Sequence, residues 1–211
     1  MEEFSVLTGG KAGYGIDRAT LILGHLLNRC GYRIYIYHDY PSLIRGGHTF
    51  SIIRAAQTSI GAHRKKIDVL LALNGETIDL HQSRLNDDAL VIYDSDAVKA
   101  PALSGQIRTL GLAIGKIVKK EKAPEVMRNI CMIGAFARAI GIPMESLAKV
   151  ITESFPKETE LNLKIAERGF AVAETVRNIA PPVAEPLPLI SGSQAIGLGL
   201  VKGGLQDYVA Y

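Results

Sequence analysis

The stretch Phe4–Ile16, FSVLTGGKAGYGI, contains the two signals that decide the fold class of this chain. Its first residues, Phe4 to Leu7, form a short apolar run, which predicts a buried strand that ends at the glycines that follow. After Gly15, apolar residues recur at helical spacing as far as Gly31, which predicts a helix with a glycine at its C-terminal end. A strand, a glycine-rich turn and a helix in this order indicate an α/β protein.

The rest of the chain extends this pattern. Arg33–Tyr37 (RIYIY) predicts a second strand, so residues 4–37 are interpreted as a β-α-β unit with parallel strands and a right-handed crossover. Three more strands and one helix are predicted at Thr49–Ala55, Asp68–Leu73, Ala89–Tyr93 and Gly75–Gln82, respectively. Helices follow at 113–120, 124–141, 144–155 and about 158–179. The predicted fold is a three-layer α/β/α sandwich with a mainly parallel sheet and a helical C-terminal half.

A proline-rich stretch separates the last of these helices from a short tail. Residues 180–188 (APPVAEPLP) hold four of the nine prolines, which predicts a semi-rigid extended linker at 181–188. A strand, a helix and the start of a second strand are predicted in the tail, at Pro188–Gly192, Ala195–Leu200 and Asp207–Tyr211. So short a tail cannot form its own hydrophobic core. We interpret 1–180 as one domain and 189–211 as the start of a truncated second domain, in preference to a segment that packs on the first.

The composition restricts the class of protein. The chain is 47% hydrophobic and 21% charged, as in an ordinary globular protein. Its formal net charge of +3 is too small to indicate a nucleic-acid-binding surface. The acidic start at Met1–Glu3 does not resemble a signal peptide, and no apolar run reaches the ~18 residues of a membrane span. We therefore expect a cytoplasmic protein with neither a nucleic acid nor a membrane as partner.

The residues that usually bind metals are few and scattered. Cys30 and Cys131 lie far apart on apolar stretches and are interpreted as small buried hydrophobic residues in a reducing compartment. An iron–sulfur cluster held by this chain alone is excluded, because it would need about four thiolates. The five histidines are not clustered in sequence, so no metal site is predicted. No catalytic residue is predicted either.

The glycine-rich turn Thr8–Ile16 (TGGKAGYGI) is the first candidate site. Backbone N–H groups of such a turn, at the start of a helix, can bind a phosphate. The spacing of the glycines does not match G-x-G-x-x-G, and Lys11 is not placed as in a Walker loop. Asp39 follows the second strand, where a ribose-binding acid would lie. Both alternatives stay open, a structural turn or a cofactor-binding site formed by Gly9, Gly10, Gly13 and Gly15.

The loop Asp39–His48 (DYPSLIRGGH) is the second and more specific candidate. Pro41 stiffens it, and Gly46-Gly47 permits positive φ angles and close backbone approach. Arg45 would offer a rigid fork of donors to a carboxylate or a phosphate. The residues assigned to an interface or to a substrate or coenzyme A channel are Tyr40, Arg45, Gly46, Gly47 and His48. The alternative is a tight turn whose arginine pairs with a surface acid.

Three segments together carry a resemblance to a known family. GGKAGYGI, YPSLIRGGHTFSIIR and NICMIGAFARAIGIP resemble the gamma domain of the 2-oxoacid:ferredoxin (acceptor) oxidoreductases, and the resemblance covers most of residues 4–180. The tail LISGSQAIGLGLVKGGLQDYVAY resembles the start of the alpha (pyrimidine-binding) domain in fused subunits, with Gln194 where the family often has Glu. The fused arrangement and YPSLIRGGH favour the 2-oxoglutarate-type branch over pyruvate.

The resemblance implies an oxidative decarboxylation of a 2-oxoacid to an acyl-coenzyme A, with electrons passed to ferredoxin. It implies that thiamine diphosphate, Mg²⁺ and [4Fe–4S] clusters are held by alpha and beta parts of the enzyme. This chain would then serve assembly and the coenzyme A or substrate channel, be inactive alone, and associate with the alpha and beta parts or, when isolated, with a second copy. The competing hypothesis is an autonomous Rossmann-like nucleotide-binding protein that uses the glycine turn and Asp39.

Overall fold

The computed structural model describes residues 2–41, 46–179, 182 and 184–209. The strands in these ranges are β1 Glu3–Lys11, β2 Arg33–Asp39, β3 His48–Ala56, β4 Ile67–Ala72, β5 Leu85–Asp94 and β6 Arg108–Leu112. The α-helices are α1 Ile16–Arg29, α2 Gly75–His81, α3 Ile114–Lys120, α4 Arg128–Ala139, α5 Met144–Ser154, α6 Thr159–Val172 and α7 Gly192–Lys202. No helix in this part of the chain is both long enough and apolar enough to cross a membrane.

The strands form one sheet in the order β2-β3-β1-β4-β5-β6. β3 is antiparallel to both of its neighbours, β1 and β2. The other three pairs, β1–β4, β4–β5 and β5–β6, are parallel. The predicted mainly parallel sheet is therefore confirmed. β1 and β2 run in the same direction, as predicted, but β3 lies between them. The connection from Asp39 to His48 is too short for a parallel crossover, so β2 and β3 pair as an antiparallel hairpin.

The two faces of the sheet are covered unequally. One face packs on α1, α3 and α4 and forms the larger core, in which Leu26 and Phe136 contact the strand residues of that face. Within the part of the chain that the structure describes, the other face packs on α2 and on the segment after β5, through Ile78, Val98 and Leu103. The three-layer α/β/α arrangement is confirmed, with one thick and one thin helical layer. Strand β4, buried along its whole length, agrees with its continuous apolar run.

The second half of the chain differs from the sequence prediction in two places: one strand was missed, and one helix was predicted too long. Strand β6 was not predicted, because four of its five residues are exposed or half-buried at the sheet edge and show no apolar pattern. The helix predicted at 158–179 ends at Val172, and residues 173–179 are not helical. There the amides of Val176 and Ile179 donate to the carbonyls of Ala139 and Ile140, at the end of α4. These bonds satisfy carbonyls that a helix end leaves free.

The tail also differs from its prediction. The predicted helix is present as α7, which begins with a capping box between Ser191 and Gln194, but residues 188–191 form no strand. Residues 205–209 form none either, and Ala210 and Tyr211 lie outside the described residues. A strand needs a neighbour to satisfy its backbone groups, whereas a helix satisfies most of its own. In the linker, the carbonyl of Glu185 accepts a hydrogen bond from Arg33 at 3.0 Å.

Helices α4 and α6 pack with their backbones in direct contact. A Cβ atom on Gly134 would overlap the carbonyl oxygen of Ala166, and one on Gly169 would overlap the carbonyl oxygen of Cys131. The overlapping atoms belong to the backbone of the opposite helix, so no side-chain rotation can make room. Both glycines are therefore required for the thick helical layer.

We expect Gly134→Ala and Gly169→Ala each to lower the free energy of unfolding by about 3 kcal/mol, the upper end of the usual overpacking cost. Gly197→Ala is the matched control, because that glycine lies in α7 and a Cβ atom there would meet nothing within 4 Å. The control should change stability by less than about 1 kcal/mol, in the stabilising direction. Urea denaturation followed by circular dichroism measures all three, and equal effects at all three positions would contradict the packing argument.

Candidate functional site

Both candidate segments lie at the edge of the sheet where the parallel strands end. Lys11, the last residue of β1, lies opposite His48, the first residue of β3. The amide of Ala12 donates to the carbonyl of Gly47 at 3.1 Å, so the glycine turn and the end of the second loop are in direct contact. In open α/β sheets this carboxyl edge is where ligands bind.

Four of the five loop residues assigned from the sequence can be placed. Gly46 and Gly47 have φ angles of 76° and 87°, so the predicted positive φ angles are confirmed. Tyr40 is 63% exposed, and its ring stacks on His38 with 6.0 Å between ring centroids. Nδ1 of His38 lies 3.2 Å from a carboxylate oxygen of Asp17. Arg45 lies outside the described residues, together with Ser42, Leu43 and Ile44.

Gly9 and Gly10 are part of strand β1 and not of the turn, which corrects the sequence-based placement. A Cβ atom on Gly9 would lie 2.7 Å from Cγ2 of Thr77 and 3.1 Å from Cε1 of His48. A Cβ atom on Gly10 would lie 3.2–3.3 Å from side chains of the other face, including Leu73. Gly9 therefore lets α2 and His48 approach the sheet closely, and Gly10 lets side chains such as Leu73 approach the opposite face; both are packing roles.

Gly13 and Gly15 form the turn itself, with φ angles of 91° and 70°. Asn129, in α4, donates from its amide nitrogen to the carbonyls of Tyr14 and Gly15, each at 3.1 Å. Asp17 lies in the first turn of α1, where its carboxylate occupies the position that favours an anion. Packing accounts for the shape of this turn, and its use as a cofactor-binding site stays a prediction.

A cavity of about 180 Å³ lies beside the turn and is lined by Gly13, Tyr14, Leu73, Glu125, Val126 and Arg128. The guanidinium of Arg128 lies 3.1 Å from the buried carboxylate of Asp94 and 3.1 Å from that of Glu125. Its charge is thus already compensated within the chain. Pockets for whole cofactors usually exceed about 300 Å³, so this cavity does not fit a dinucleotide.

A pair of histidines lies next to the turn on the thin side of the sheet. Nε2 of His48 and Nε2 of His81 are 3.0 Å apart, and Nδ1 of His81 lies 3.4 Å from a terminal nitrogen of Arg84. The ring of Phe50 packs against both imidazoles, with centroid distances of 5.7 and 4.5 Å. His81 is 5% exposed.

Both imidazoles are neutral at pH 7. Burial is the largest cause that lowers the pKa of His81, to about 4, and the nearby His48 and Arg84 lower it further. Burial also lowers the pKa of His48, although the carboxylates of Glu76 and Asp39 partly oppose this. The short contact between the two rings agrees with this state, because two imidazolium ions would repel each other at that distance.

Sequence reasoning identified His48 but missed His81, Arg84 and Phe50. His81 falls inside the helix predicted at Gly75–Gln82, and nothing in the local pattern distinguishes it from a surface histidine. The contact joins residues 33 positions apart and depends on where α2 lies on the sheet. His81 is the last residue of α2, nine positions after the end of β4 at Ala72, so its distance from the strand end gave no signal either.

The described residues do not fit the metal cofactors of the resembled family. No three of their His, Cys, Asp and Glu side chains are grouped closely enough to hold a metal ion. Cys131 is buried, and burial raises its pKa to about 12; burial also raises the pKa of the half-buried Cys30. Protonated thiols do not ligate metals. Neither an iron–sulfur cluster nor a Mg²⁺-thiamine diphosphate site is therefore assigned to this part of the chain.

A family model described as pyruvate ferredoxin/flavodoxin oxidoreductase matches residues 5–172, which is most of the chain. The chain belongs to this family. The matched range ends at the last residue of α6. A curated relative, the 2-oxoacid:ferredoxin oxidoreductase subunit alpha of a Sulfolobus species, is 24% identical over 96% of this chain and 39% of its own length. This member of the pyruvate ferredoxin/flavodoxin oxidoreductase family thus spans about two fifths of that relative.

Two solved structures share the fold. The 2-oxoglutarate:ferredoxin oxidoreductase of Magnetococcus marinus, solved with 2-oxoglutarate, coenzyme A and succinyl-CoA bound, superposes with a TM-score of 0.85 at 22% identity, over 98% of this chain and 38% of its own. The gamma subunit of a keto/oxoacid ferredoxin oxidoreductase from Geobacter sulfurreducens gives a TM-score of 0.69 at 24% identity, over 81% of this chain and 98% of its own. At these identities the likeness concerns the fold.

We expect the stability of this chain to depend on the protonation of His81. Its pKa is about 4 in the folded chain and about 6.5 in the unfolded chain, so only the unfolded chain takes up this proton between these values. The free energy of unfolding should therefore fall as the pH falls from 6.5 to 4, by up to about 3 kcal/mol from this group. Urea denaturation across this range measures the slope.

His81→Asn should reduce this slope, because it removes the group that takes up the proton on unfolding. His25→Asn is the control, since it makes the same substitution at an exposed position of α1 and should keep the part of the slope that His81 produces. The same slope in His81→Asn as in the unsubstituted chain would contradict the assignment.

Proposed function

We propose that this chain is the gamma domain of a thiamine diphosphate-dependent 2-oxoacid:ferredoxin oxidoreductase. In this role it helps to assemble the enzyme and forms part of the channel for coenzyme A or substrate. The observation that carries the proposal is the family match over residues 5–172. The fold shared with a separate gamma subunit over 98% of that subunit supports it further.

The proposed reaction is the oxidative decarboxylation of a 2-oxoacid to an acyl-coenzyme A. When bound in the whole enzyme, thiamine diphosphate supplies the electron sink for decarboxylation, and iron–sulfur clusters carry the electrons to ferredoxin. We assign these groups, with Mg²⁺, to the alpha and beta parts, since the described residues of this chain do not provide ligands for them. The residues of this chain would bind and orient coenzyme A or the substrate, and they would exclude water. A cytoplasmic location, where both cysteines stay reduced, is part of the proposal.

The domain division of the sequence analysis is retained in the proposal. Residues 173–179 still belong to the first domain, because Ala173 and Ile179 are buried against it. In contrast, α7 exposes its apolar side chains, with Ile196 at 67% and Val201 at 70% exposure. This supports 1–180 as the gamma domain, 181–188 as the linker and 189–211 as the start of the alpha domain, whose remaining part would cover α7.

The loop from Tyr40 to His48 is proposed to form the contact with the partner part or the channel. The Gly47 end of the loop meets the glycine turn at the carboxyl edge of the sheet, and Tyr40, although stacked on His38, stays exposed to a partner. Arg45 would supply a planar pair of donors to a carboxylate or phosphate. The 2-oxoglutarate-type branch is retained in the proposal on the resemblance of YPSLIRGGH and of the fused arrangement.

The test is Arg45→Ala in the assembled oxidoreductase. We expect weaker assembly, or an apparent KM for coenzyme A or the 2-oxoacid raised about tenfold, because a charge-assisted hydrogen bond contributes about 1.5–3 kcal/mol. Size-exclusion chromatography measures assembly, and coenzyme A-dependent viologen reduction with 2-oxoglutarate and with pyruvate measures activity and branch.

Arg29→Ala is the matched control, since Arg29 pairs with Glu153 at the opposite end of α1 from the glycine turn. It should change neither assembly nor KM by more than about twofold, as for an exposed ion pair. Unchanged assembly and KM values in Arg45→Ala would refute the role of the loop. Micromolar binding of a dinucleotide by the chain alone, measured by calorimetry, would instead favour the autonomous nucleotide-binding protein, which the comparisons do not support.

A further inference from the structure

Arg84, His81 and His48 form a connected row of nitrogen atoms on the thin side of the sheet. The row runs from the guanidinium of Arg84 to Nδ1 of His81 at 3.4 Å, and from Nε2 of His81 to Nε2 of His48 at 3.0 Å. Arg84 is held in place by the carbonyl of Lys65, which accepts from its Nε at 3.1 Å, and its guanidinium lies 5.8 Å from the ring of Phe50. The row is therefore anchored at its arginine end.

The chemistry of these groups leaves one assignment of protons. A guanidinium is only a donor, so Nδ1 of His81 must accept and carries no proton. The neutral ring of His81 then has its proton on Nε2, which donates to Nε2 of His48. Because Nε2 of His48 accepts, the proton of His48 must lie on Nδ1. The direction of the row is set by Arg84 and ends in an N–H donor on His48.

This donor is buried and has no hydrogen-bond partner among the described residues. The side chains and backbone around His48 come from β1, β2, β3 and α2: Gly9, Asp39, Phe50, Glu76, Thr77 and His81. None of them accepts from Nδ1. A buried donor without an acceptor costs about 1–3 kcal/mol, so such donors are normally paired in a complete structure.

We infer that Arg84 and His81 are positioning residues that hold His48 in its Nδ1–H tautomer, and that His48 donates this hydrogen bond to an oxygen atom supplied by a ligand or by an adjoining part of the enzyme. The identity of the acceptor rests on the proposed function of this edge of the sheet. The proton arrangement does not, because it follows from the chain alone. The role of the cluster is to present a donor whose direction does not depend on solvent.

The first test determines the tautomer of His48 in the isolated chain by long-range ¹H–¹⁵N correlation spectroscopy at pH 7.5. We expect the proton on Nδ1 of His48 and on Nε2 of His81. Arg84→Met should abolish the single pattern and give two tautomers at both rings, because His81 Nδ1 is no longer forced to accept. A proton on Nε2 of His48 in the unsubstituted chain, or an unchanged pattern in Arg84→Met, would overturn the positioning role.

Two controls separate this effect from a general disturbance. Arg29→Met removes an exposed arginine far from the row and should leave both patterns unchanged. His63→Asn removes the exposed histidine that packs on Tyr37. Loss of its signals identifies them in the spectrum and leaves those of His48 in place. Denaturation midpoints of all variants are measured in parallel, so that a tautomer change in a folded variant is not mistaken for unfolding.

The second test locates the acceptor by following the Nδ1–H signal of His48 on separate addition of coenzyme A, of 2-oxoglutarate and of the purified alpha and beta partners. A downfield shift with one of the small molecules assigns the oxygen to a ligand, and a shift only with the partners assigns it to the interface. No shift with any addition overturns the donor role of His48. Failure to assemble, with the tautomer as expected, would count against the proposed function and not against the proton arrangement.

Discussion

The antiparallel pairing of β3 with both β1 and β2 is the constraint on which the arrangement of the candidate site depends. It brings His48, at the start of β3, opposite Lys11 at the end of β1, so the loop that precedes β3 meets the glycine turn. Had β1 and β2 been neighbours, as the simplest β-α-β unit requires, the two segments would have been separated. Because β3 is inserted between β1 and β2, two motifs that are distant in sequence lie together at one edge of the sheet.

The unequal helical layers explain where chemistry is accessible. On the thick side, the direct contact of α4 and α6 at Gly134 and Gly169 makes a dense layer that leaves little open surface near the sheet. On the thin side, the short α2 approaches β1 closely only because Gly9 has no side chain. That approach places His81 against His48, and it is the reason why two imidazoles share a buried contact there.

The part of the chain that the structure describes groups no metal-binding side chains, and its histidine pair and exposed apolar residues are the features that the proposed role would use. Its free cysteines have raised pKa values, the small cavity at the turn contains a compensated arginine, and the His48–His81 pair is neutral at pH 7. Exposed apolar residues on α7 and the exposed ring of Tyr40 are surfaces for contact. This distribution agrees with the proposed role of a domain that works beside other parts of an enzyme.

The sequence by itself determined the local elements and the family resemblance. The apolar run at Phe4–Leu7, the helical spacing after Gly15 and the helix predicted at Ala195–Leu200 all depend on neighbours a few residues away, so their patterns can be recognised without a fold. Tertiary structure alone decided the insertion of β3, the edge strand β6, the end of α6 at Val172 and the meeting of His48 with His81. Each of these depends on a partner distant in sequence, which satisfies a backbone group or buries a side chain that local pattern leaves undetermined.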